Sequence, residues 1–251
     1  MKVLYLLLVS LTLVSCNTTS KEPTSTARND NSLNFKIQGS IKSELEVLDA
    51  KVNLMGFFVA PRFYGAINDD STFEIDFPAE FIDTTAAAIQ QYNTSDGAVY
   101  ELSGTTLSDY FTSNYTIESS GLQQPAALAG KYYSFNTSSN QVLLPYSSSS
   151  FFKTIVDGQN NETGYYYYFL YSNGPFKLKG IEVETYESSN ATMLEQKTEY
   201  DIVGEKGWNI LKYEVAATAV FDQDARMATS IKHTSVPSIP LDFRWILIDS
   251  Q

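Results

Sequence analysis

Few residue types in this chain of 251 residues can carry out covalent or acid–base chemistry. The sequence contains one cysteine, Cys16, and one histidine, His233. A catalytic histidine needs a nucleophile beside it, and zinc sites draw on several cysteine and histidine ligands. Neither pattern stands out around His233, which we interpret as a polar position of a strand. The sequence therefore predicts no catalytic residue, no metal site and no cofactor, and we expect a protein that is not an enzyme.

An aromatic run in the second half of the chain is the most conspicuous candidate for a binding site. Residues Tyr165–Tyr171 are six aromatic rings and one leucine. As a strand, this run places four side chains on one face: Tyr165, Tyr167, Phe169 and Tyr171. If exposed, that face is a stacking platform for sugar rings, because an aromatic plane offers apolar area and a hydroxyl group. The alternative is a central strand whose rings fill the core on both faces.

Two acidic patterns offer weaker candidates. Glu182 and Glu184 share one face of a predicted strand, and paired carboxylates can act as acid and base in glycoside hydrolysis. Neighbouring glutamates of a strand are also typical of a solvated surface. Asp157–Glu162 is rich in the oxygen ligands that calcium prefers, but it lacks the spacing of an EF-hand loop.

The first 16 residues indicate where the protein works. Met1-Lys2 gives a positive start, Val3 to Leu13 is an almost unbroken apolar run, and Leu13-Val14-Ser15-Cys16 closes the segment. Such a run behind a positive charge is typical of an export signal and is too short to span a bilayer. The closing tetrapeptide resembles the lipobox of bacterial lipoproteins. This resemblance implies a signal peptide over residues 1–15, acylation of Cys16, and export to a cell membrane that holds the protein by its lipid.

The segment after the cysteine has the composition of a flexible tether. Residues 16–33 are mostly Thr, Ser, Asn and charged residues without periodicity. The lipoprotein pattern of inner-membrane retention has aspartate directly after the cysteine. This chain has Asn17 at that position, which favours the outer membrane. The formal net charge of −12 argues against nucleic acid, whose binding needs a basic surface. The expected partners are the membrane, through the lipid anchor, and an envelope glycan or protein.

From Asn34 onward the apolar residues recur with a period of two, which is typical of strands. Phe151–Val156 is predicted as a strand, and Asn173-Gly174 predicts a hairpin turn after the tyrosine run. Only Thr84–Tyr92 and Pro125–Gly130, both alanine-rich, have the composition of short helices. The apolar phase changes across Gly180, which predicts a β-bulge there. The predicted fold class is all-β, with one or two packed antiparallel β-sandwich modules behind the tether.

Two modules are the favoured organisation, over residues 34–120 and 131–251. The span Phe35–Pro78 resembles a prealbumin-like module, through Ile37-Gln-Gly-Ser-Ile41 and the turn-and-strand pattern from Gly65 to Ile75. The second half resembles uncharacterised bacterial envelope lipoproteins, through Gly207-Trp208-Asn209 and Phe243-Arg244-Trp245. No chemistry is attached to that set of proteins.

The sequence leaves three functional hypotheses. The first is a lipid-anchored envelope protein with a non-catalytic binding or scaffolding role. The second is a glycan- or calcium-binding module that uses the strand Tyr165–Tyr171. The third is a polymerising, pilus-like surface subunit, which strand exchange between prealbumin-like modules could support.

Overall fold

The computed structural model describes residues 35–43, 45–47, 49–54, 63–77, 106–111, 117–129, 135–159, 161–189, 191, 193–222 and 225–249. Within these ranges the chain forms fourteen strands, one α-helix and one 3₁₀ turn at Leu107–Asp109. The strands build two sheets, so the prediction of an all-β protein is confirmed. The predicted lipidation site Cys16, the predicted tether and the predicted helix Thr84–Tyr92 lie outside the described residues.

Seven strands form a closed sheet, in which β1 pairs with β14 on one side and with β4 on the other. The order around the sheet is β1-β14-β8-β7-β2-β3-β4. Its strands are β1 (Phe35–Lys42), β2 (Ala50–Leu54), β3 (Phe63–Ile67), β4 (Thr72–Phe77), β7 (Phe135–Thr137), β8 (Gln141–Leu144) and β14 (Arg244–Asp249). All its pairs are antiparallel except β1 with β14.

The other seven strands form an open sheet with the order β5-β10-β11-β13-β12-β9-β6. Its strands are β5 (Glu118–Ser120), β6 (Ala126–Ala129), β9 (Gly164–Ser172), β10 (Phe176–Glu187), β11 (Met193–Gly204), β12 (Gly207–Asp222) and β13 (Ala225–Val236). The pair β11–β13 is parallel and the others are antiparallel. The tyrosine run is β9, which lies near one edge of this sheet with β12 on one side and β6 on the other.

The two predicted modules do not correspond to the two sheets. In the closed sheet, β1 and β2 of the range 34–120 pair with β14 and β7 of the range 131–251. In the open sheet, β5 pairs with β10. Each sheet therefore takes strands from both ranges. In the closed sheet, the last described strand returns to lie beside the first described one. The boundary predicted near residues 120–130 separates strands that hydrogen-bond to one another.

Two apolar clusters hold the sheets together. One joins the closed sheet to one face of β9 and β12, and Phe169 stacks on Trp245 there with ring centroids 6.1 Å apart. The other covers the opposite face of β9 and β12 with the helix α1 (Ser149–Val156) and with Leu107 of the 3₁₀ turn. Burying each large apolar side chain contributes roughly 1.5–3 kcal/mol. Strand β9 is aromatic or apolar on both faces because both of its faces are covered.

The segment predicted as a strand at Phe151–Val156 is α1, so that prediction is wrong. Ser148 caps the helix, since its Oγ accepts the backbone N–H of Phe151 at 3.0 Å. Phe151, Phe152 and Ile155 are buried, and this spacing gives one face of a helix rather than one face of a strand. In the described ranges no helix has both the length and the apolar character needed to cross a bilayer.

Pro125–Gly130 was predicted to be helical, and Ala126–Ala129 is instead strand β6. These residues pair with Phe169–Ser172 of β9. The helix propensity of the three alanines is worth only roughly a few tenths of a kcal/mol per residue. Hydrogen bonding to β9 at the edge of the sheet outweighs it.

Two local predictions, a hairpin turn and a β-bulge, also differ from the structure. Asn173-Gly174 connects β9 to β10, but these strands are not neighbours, because β12, β13 and β11 lie between them. Gly180 carries no bulge, since β10 pairs with β11 residue by residue from Phe176 to Glu187. The change of apolar phase reflects exposed apolar residues, and Ile181 and Val183 are 54% and 50% exposed.

Candidate functional site

The predicted stacking platform lies mostly inside the protein. Tyr167, Phe169 and Tyr171 are only 4%, 0% and 3% exposed, and Tyr165 is half-buried. The closed sheet covers their face of β9, and the ring of Phe169 lies 5.2 Å from that of Phe77. The structure therefore rules out an exposed platform of four rings and agrees with the alternative in which the rings fill the core on both faces, although β9 is the second strand from the edge rather than a central one. Only Tyr165 remains available to a ligand.

The other face of β9 packs into the second apolar cluster. Tyr166 stacks between Tyr146 and Tyr213, with ring centroids 4.6 Å and 5.0 Å away. Burial raises the pKa of the Tyr168 phenol well above its usual value, so this hydroxyl keeps its proton. The Tyr168 hydroxyl lies 3.2 Å from Nδ1 of His233 and can donate to it.

His233, the only histidine of the chain, belongs to this aromatic cluster. Its ring stacks on Tyr200 with centroids 5.0 Å apart, and Tyr213 meets it edge-on at the same distance. The ring of Phe111 lies 6.5 Å away. These contacts fix the imidazole among neutral rings, so the residue that sequence reasoning interpreted as a polar strand position is half-buried and has a packing role.

An open groove lies along β14, and we call it the β14 groove. Its volume is about 680 Å³. Trp245 and Leu247 belong to the cluster between the sheets, so the alternate residues Ile246 and Ile248 lie on the opposite face. Ile246 is buried in the second apolar cluster and Ile248 packs against it, and both also line the groove as its apolar floor. The remaining lining comes from the end of β1, the start of α1, and the segments before β9 and β14: Lys42, Ser43, Leu45, Ser147, Ser148, Ser149, Tyr165, Asp242, Phe243, Arg244 and Asp249.

The rim of the β14 groove carries charges of both signs. Lys42 and Arg244 lie on the outer face of the neighbouring strands β1 and β14, where Ser40 is opposite Arg244. Arg244 is held in place, since its Nη1 donates to Ser40 Oγ at 2.5 Å and to the Leu241 carbonyl at 3.3 Å. Asp242 and Asp249 add two carboxylates at the two ends of β14. The groove therefore offers both hydrogen-bond donors and acceptors.

Tyr165 is the aromatic wall of the β14 groove, and its position is constrained. Lys212 Nζ lies 4.4 Å from the ring centroid and also pairs with Glu214 at 2.8 Å. The ring of Phe243 lies 6.0 Å away. The backbone N–H of Tyr165 donates to Ser147 Oγ at 3.0 Å, which ties the start of β9 to the segment before α1. A ring held in this way presents a fixed surface to a ligand.

Tyr167 lies directly behind this wall. Its ring meets Tyr165 edge-on at 5.8 Å and Phe243 edge-on at 5.0 Å. Burial, reinforced by Tyr165 and by the carboxylates of Glu214 and Asp242, raises the pKa of Tyr167 to about 12. The phenol is therefore neutral at physiological pH and serves as support for the groove wall.

A smaller groove of about 310 Å³ lies at the other end of β1. Phe35, Trp208, Ile210 and Val236 line it, together with Val203, which is 51% exposed. Phe35 is the first residue of β1, so this groove lies at the start of that strand and the β14 groove at its end. We call it the Phe35 groove.

The acidic candidates of the sequence do not line the β14 groove. Glu184 accepts a hydrogen bond from the Tyr186 hydroxyl at 2.5 Å, which raises the pKa of Tyr186 to about 12. Glu162 accepts from Ser150 Oγ at 2.6 Å, so it joins the loop that was a calcium candidate to α1. Within the described ranges, no three His, Cys, Asp or Glu side chains are grouped so as to hold a metal ion.

The Gly-Trp-Asn motif has a structural explanation. Gly207 has a φ of 101°, a left-handed conformation that favours glycine, in the turn between β11 and β12. The Asn209 side chain closes this turn, since its Oδ1 accepts the N–H of Glu205 and its Nδ2 donates to the carbonyls of Glu205 and Gly207. Trp208 is 4% exposed and packs edge-on against Phe77. The motif shapes a turn and fills the core.

The fold defines an all-β protein in which a closed sheet packs on an open one. No protein-family model, no curated protein and no solved structure matches the chain.

Sequence reasoning found Tyr165 but missed most of the groove that surrounds it. The run Ser147–Ser150 before an apolar segment is a helix-start pattern, and it could have placed these hydroxyls at the start of α1. Lys42 and Arg244 come together only because the last strand pairs with the first. Local sequence patterns carry no signal of that pairing.

Proposed function

We propose that the protein is an exported, lipid-anchored binding protein of the bacterial envelope, without catalytic activity, and that its ligand site is the β14 groove. The lipobox-like Leu13-Val14-Ser15-Cys16 and the apolar run before it support the anchor. An open groove with an apolar floor and a polar rim supports a binding role, since such concave surfaces are where small ligands are commonly held.

The single observation that carries the proposal is the polarity of β1. This strand begins with Phe35, immediately after the predicted tether, and ends with Lys42 at the β14 groove. Its seven residue steps span about 23 Å at roughly 3.3 Å per residue. An anchor attached before Phe35 would leave the Phe35 groove on the membrane side and the β14 groove on the far side, where envelope ligands have access.

A non-catalytic role is supported by where the reactive side chains lie. His233 is engaged with Tyr168 in the aromatic cluster and does not line the β14 groove. The groove is lined by hydroxyls, two cations and two separated carboxylates, which are suited to holding a polar ligand.

Membrane fractionation tests the anchor. Full-length protein produced in a bacterium that processes lipoproteins should sediment with membranes and be released only by detergent. The variant Cys16→Ser should appear in the soluble exported fraction. Recovery of both forms in the soluble fraction would refute the anchored state.

Site-directed photo-crosslinking tests the ligand site. A photoreactive residue in place of Ser149, in the β14 groove, should form adducts with envelope material in intact cells. The matched control replaces Glu205, in the Phe35 groove, and should form markedly fewer adducts with that material. Equal labelling from both positions, or none from Ser149, would contradict the assignment of the site.

A further inference from the structure

We infer that the ligand of the β14 groove is a segment of a neutral polysaccharide, a conclusion that rests on the proposed function and names its ligand class. The juxtaposition that supports it is an aromatic ring, an apolar floor and a rim of balanced charge. Tyr165 supplies the ring, Ile246 and Ile248 supply the floor, and the charged residues at the ends of β1 and β14 supply the rim.

The aromatic ring and the apolar floor match the apolar faces that a sugar presents. A pyranose ring has apolar C–H faces, and it packs on aromatic planes for the same reason that other apolar groups do. Tyr165 is half-buried and held by Lys212 on one face, with Phe243 beside it, so its remaining surface lines the groove in a fixed position. A fixed ring loses little conformational freedom when a ligand binds.

The balance of charge points to a neutral ligand. Lys42 and Arg244 are matched in number by Asp242 and Asp249, although the chain as a whole carries a formal charge of −12. A carboxylated or phosphorylated chain would meet two aspartates, and a cationic peptide would meet the lysine and the arginine. Sugar hydroxyls both donate and accept hydrogen bonds, so they satisfy all four groups.

The serines at the start of α1 extend the same complementarity. Ser147 Oγ and Ser148 Oγ each accept a backbone N–H, from Tyr165 and Phe151, at 3.0 Å. Each of these hydroxyls keeps its own hydrogen, so it remains a donor toward the groove. The groove volume of about 680 Å³ is in the range of small-molecule sites, roughly 300–1,000 Å³, which suits a short oligosaccharide segment.

A panel of immobilised oligosaccharides tests the inference on the full-length protein in detergent micelles. The panel holds neutral glucan, mannan, galactan and xylan oligosaccharides, with uronic-acid oligosaccharides of the same length. The expected result is retention on at least one neutral member and none on the uronic acids. Tyr165→Ala should weaken retention about tenfold through loss of stacking, and Tyr165→Phe, which keeps the ring, should remain within about twofold of the wild type.

Two further variants keep the test decisive. Tyr186→Ala removes a tyrosine of β10 that lies outside the groove and should bind as the wild type does. Lys42→Ala changes an exposed residue at the end of β1, so it should fold normally and weaken retention several-fold. Failure of every neutral sugar to bind, preference for uronic acids, or wild-type binding by both Tyr165→Ala and Lys42→Ala would overturn the inference. Crosslinking from Ser149 would then distinguish two causes of failure. Adducts would mean that the site is right and the ligand class is wrong, and the lack of adducts would mean that the site is wrong.

Discussion

At the scale of single residues, the contact between Phe169 and the closed sheet contributes strongly to stability. Phe169 has no exposed surface, and its ring contacts Phe77, Phe135 and Trp245. Phe169→Ala should lower the free energy of unfolding by about 3–5 kcal/mol, because it removes a large apolar side chain and leaves a cavity between the sheets. Urea denaturation measures this change.

Val220 provides the matched control for that experiment. It lies in β12 and is 57% exposed, so Val220→Ala should change stability by no more than about 0.5 kcal/mol. A loss below about 1 kcal/mol for Phe169→Ala would mean that β9 does not lie between the sheets as described.

The phenol of Tyr167 makes stability depend on alkaline pH. Its pKa is raised to about 12 in the folded protein, whereas an unfolded tyrosine has a pKa of about 10. The folded state binds the proton more tightly, so the stabilisation is complete below pH 10 and is lost as the pH rises through about 12. The free energy of unfolding should fall over this window.

The variant Tyr167→Phe isolates the contribution of this phenol. Urea denaturation should show that the free energy of unfolding falls less between pH 9 and pH 12 for Tyr167→Phe than for the wild type. The two proteins should begin to diverge only above about pH 10, where the phenol of the unfolded wild type ionises. Parallel curves for the two proteins across the window would show that the Tyr167 phenol ionises as freely in the folded state as in the unfolded state.

Residue patterns predicted the strand geometry of the tyrosine run but not its surroundings. Alternation placed Tyr165 and Tyr167 on one face, as the structure does, because side chains of a strand alternate regardless of context. Whether that face meets solvent or another sheet depends on strands that are distant in sequence. For this reason the sequence left platform and core as alternatives, and only Tyr165 proved accessible.

At the scale of elements, the start of α1 depends on one hydroxyl. Ser148→Ala should destabilise the protein by about 1 kcal/mol, because the N–H of Phe151 loses its acceptor. Ser149 is the next residue and is exposed, so Ser149→Ala should have an effect within about 0.5 kcal/mol. Thermal unfolding of the two variants measures the difference, and equal melting temperatures would contradict the cap.

Element predictions failed where strand pairing outweighs local signals. Asn173-Gly174 has the composition of a hairpin turn, yet the strands beside it pair with β12 and with β11. The helix α1 was missed because two adjacent phenylalanines suit a strand as well as a helix face. In both cases contacts with a segment that is distant in sequence decide the secondary structure, and short-range periodicity carries no information about those contacts.

At the scale of the whole molecule, the chain closes on itself. β14 pairs in parallel with β1, and β7 pairs with β2, so the closed sheet needs both halves of the sequence. A fragment of residues 34–120 should therefore lack a stable fold, whereas residues 34–251 should fold. The all-β class was predictable from the period of two, but the interleaving of the halves was not, because local sequence patterns do not encode which distant strands pair.

Denaturation of the two fragments checks this expectation. Residues 34–251 should show one cooperative transition by circular dichroism, and residues 34–120 should show none. A cooperative transition in the short fragment would restore the independent module that the sequence predicted.

The proposed lipid anchor at Cys16 is the central claim, because the proposed orientation of the β14 groove away from the membrane depends on it. Cells that produce the full-length protein can be grown with radiolabelled palmitate and the protein immunoprecipitated. The account predicts label in the wild-type protein and none in Cys16→Ser. An unlabelled wild-type protein, produced in cells whose other lipoproteins take up label, would contradict it.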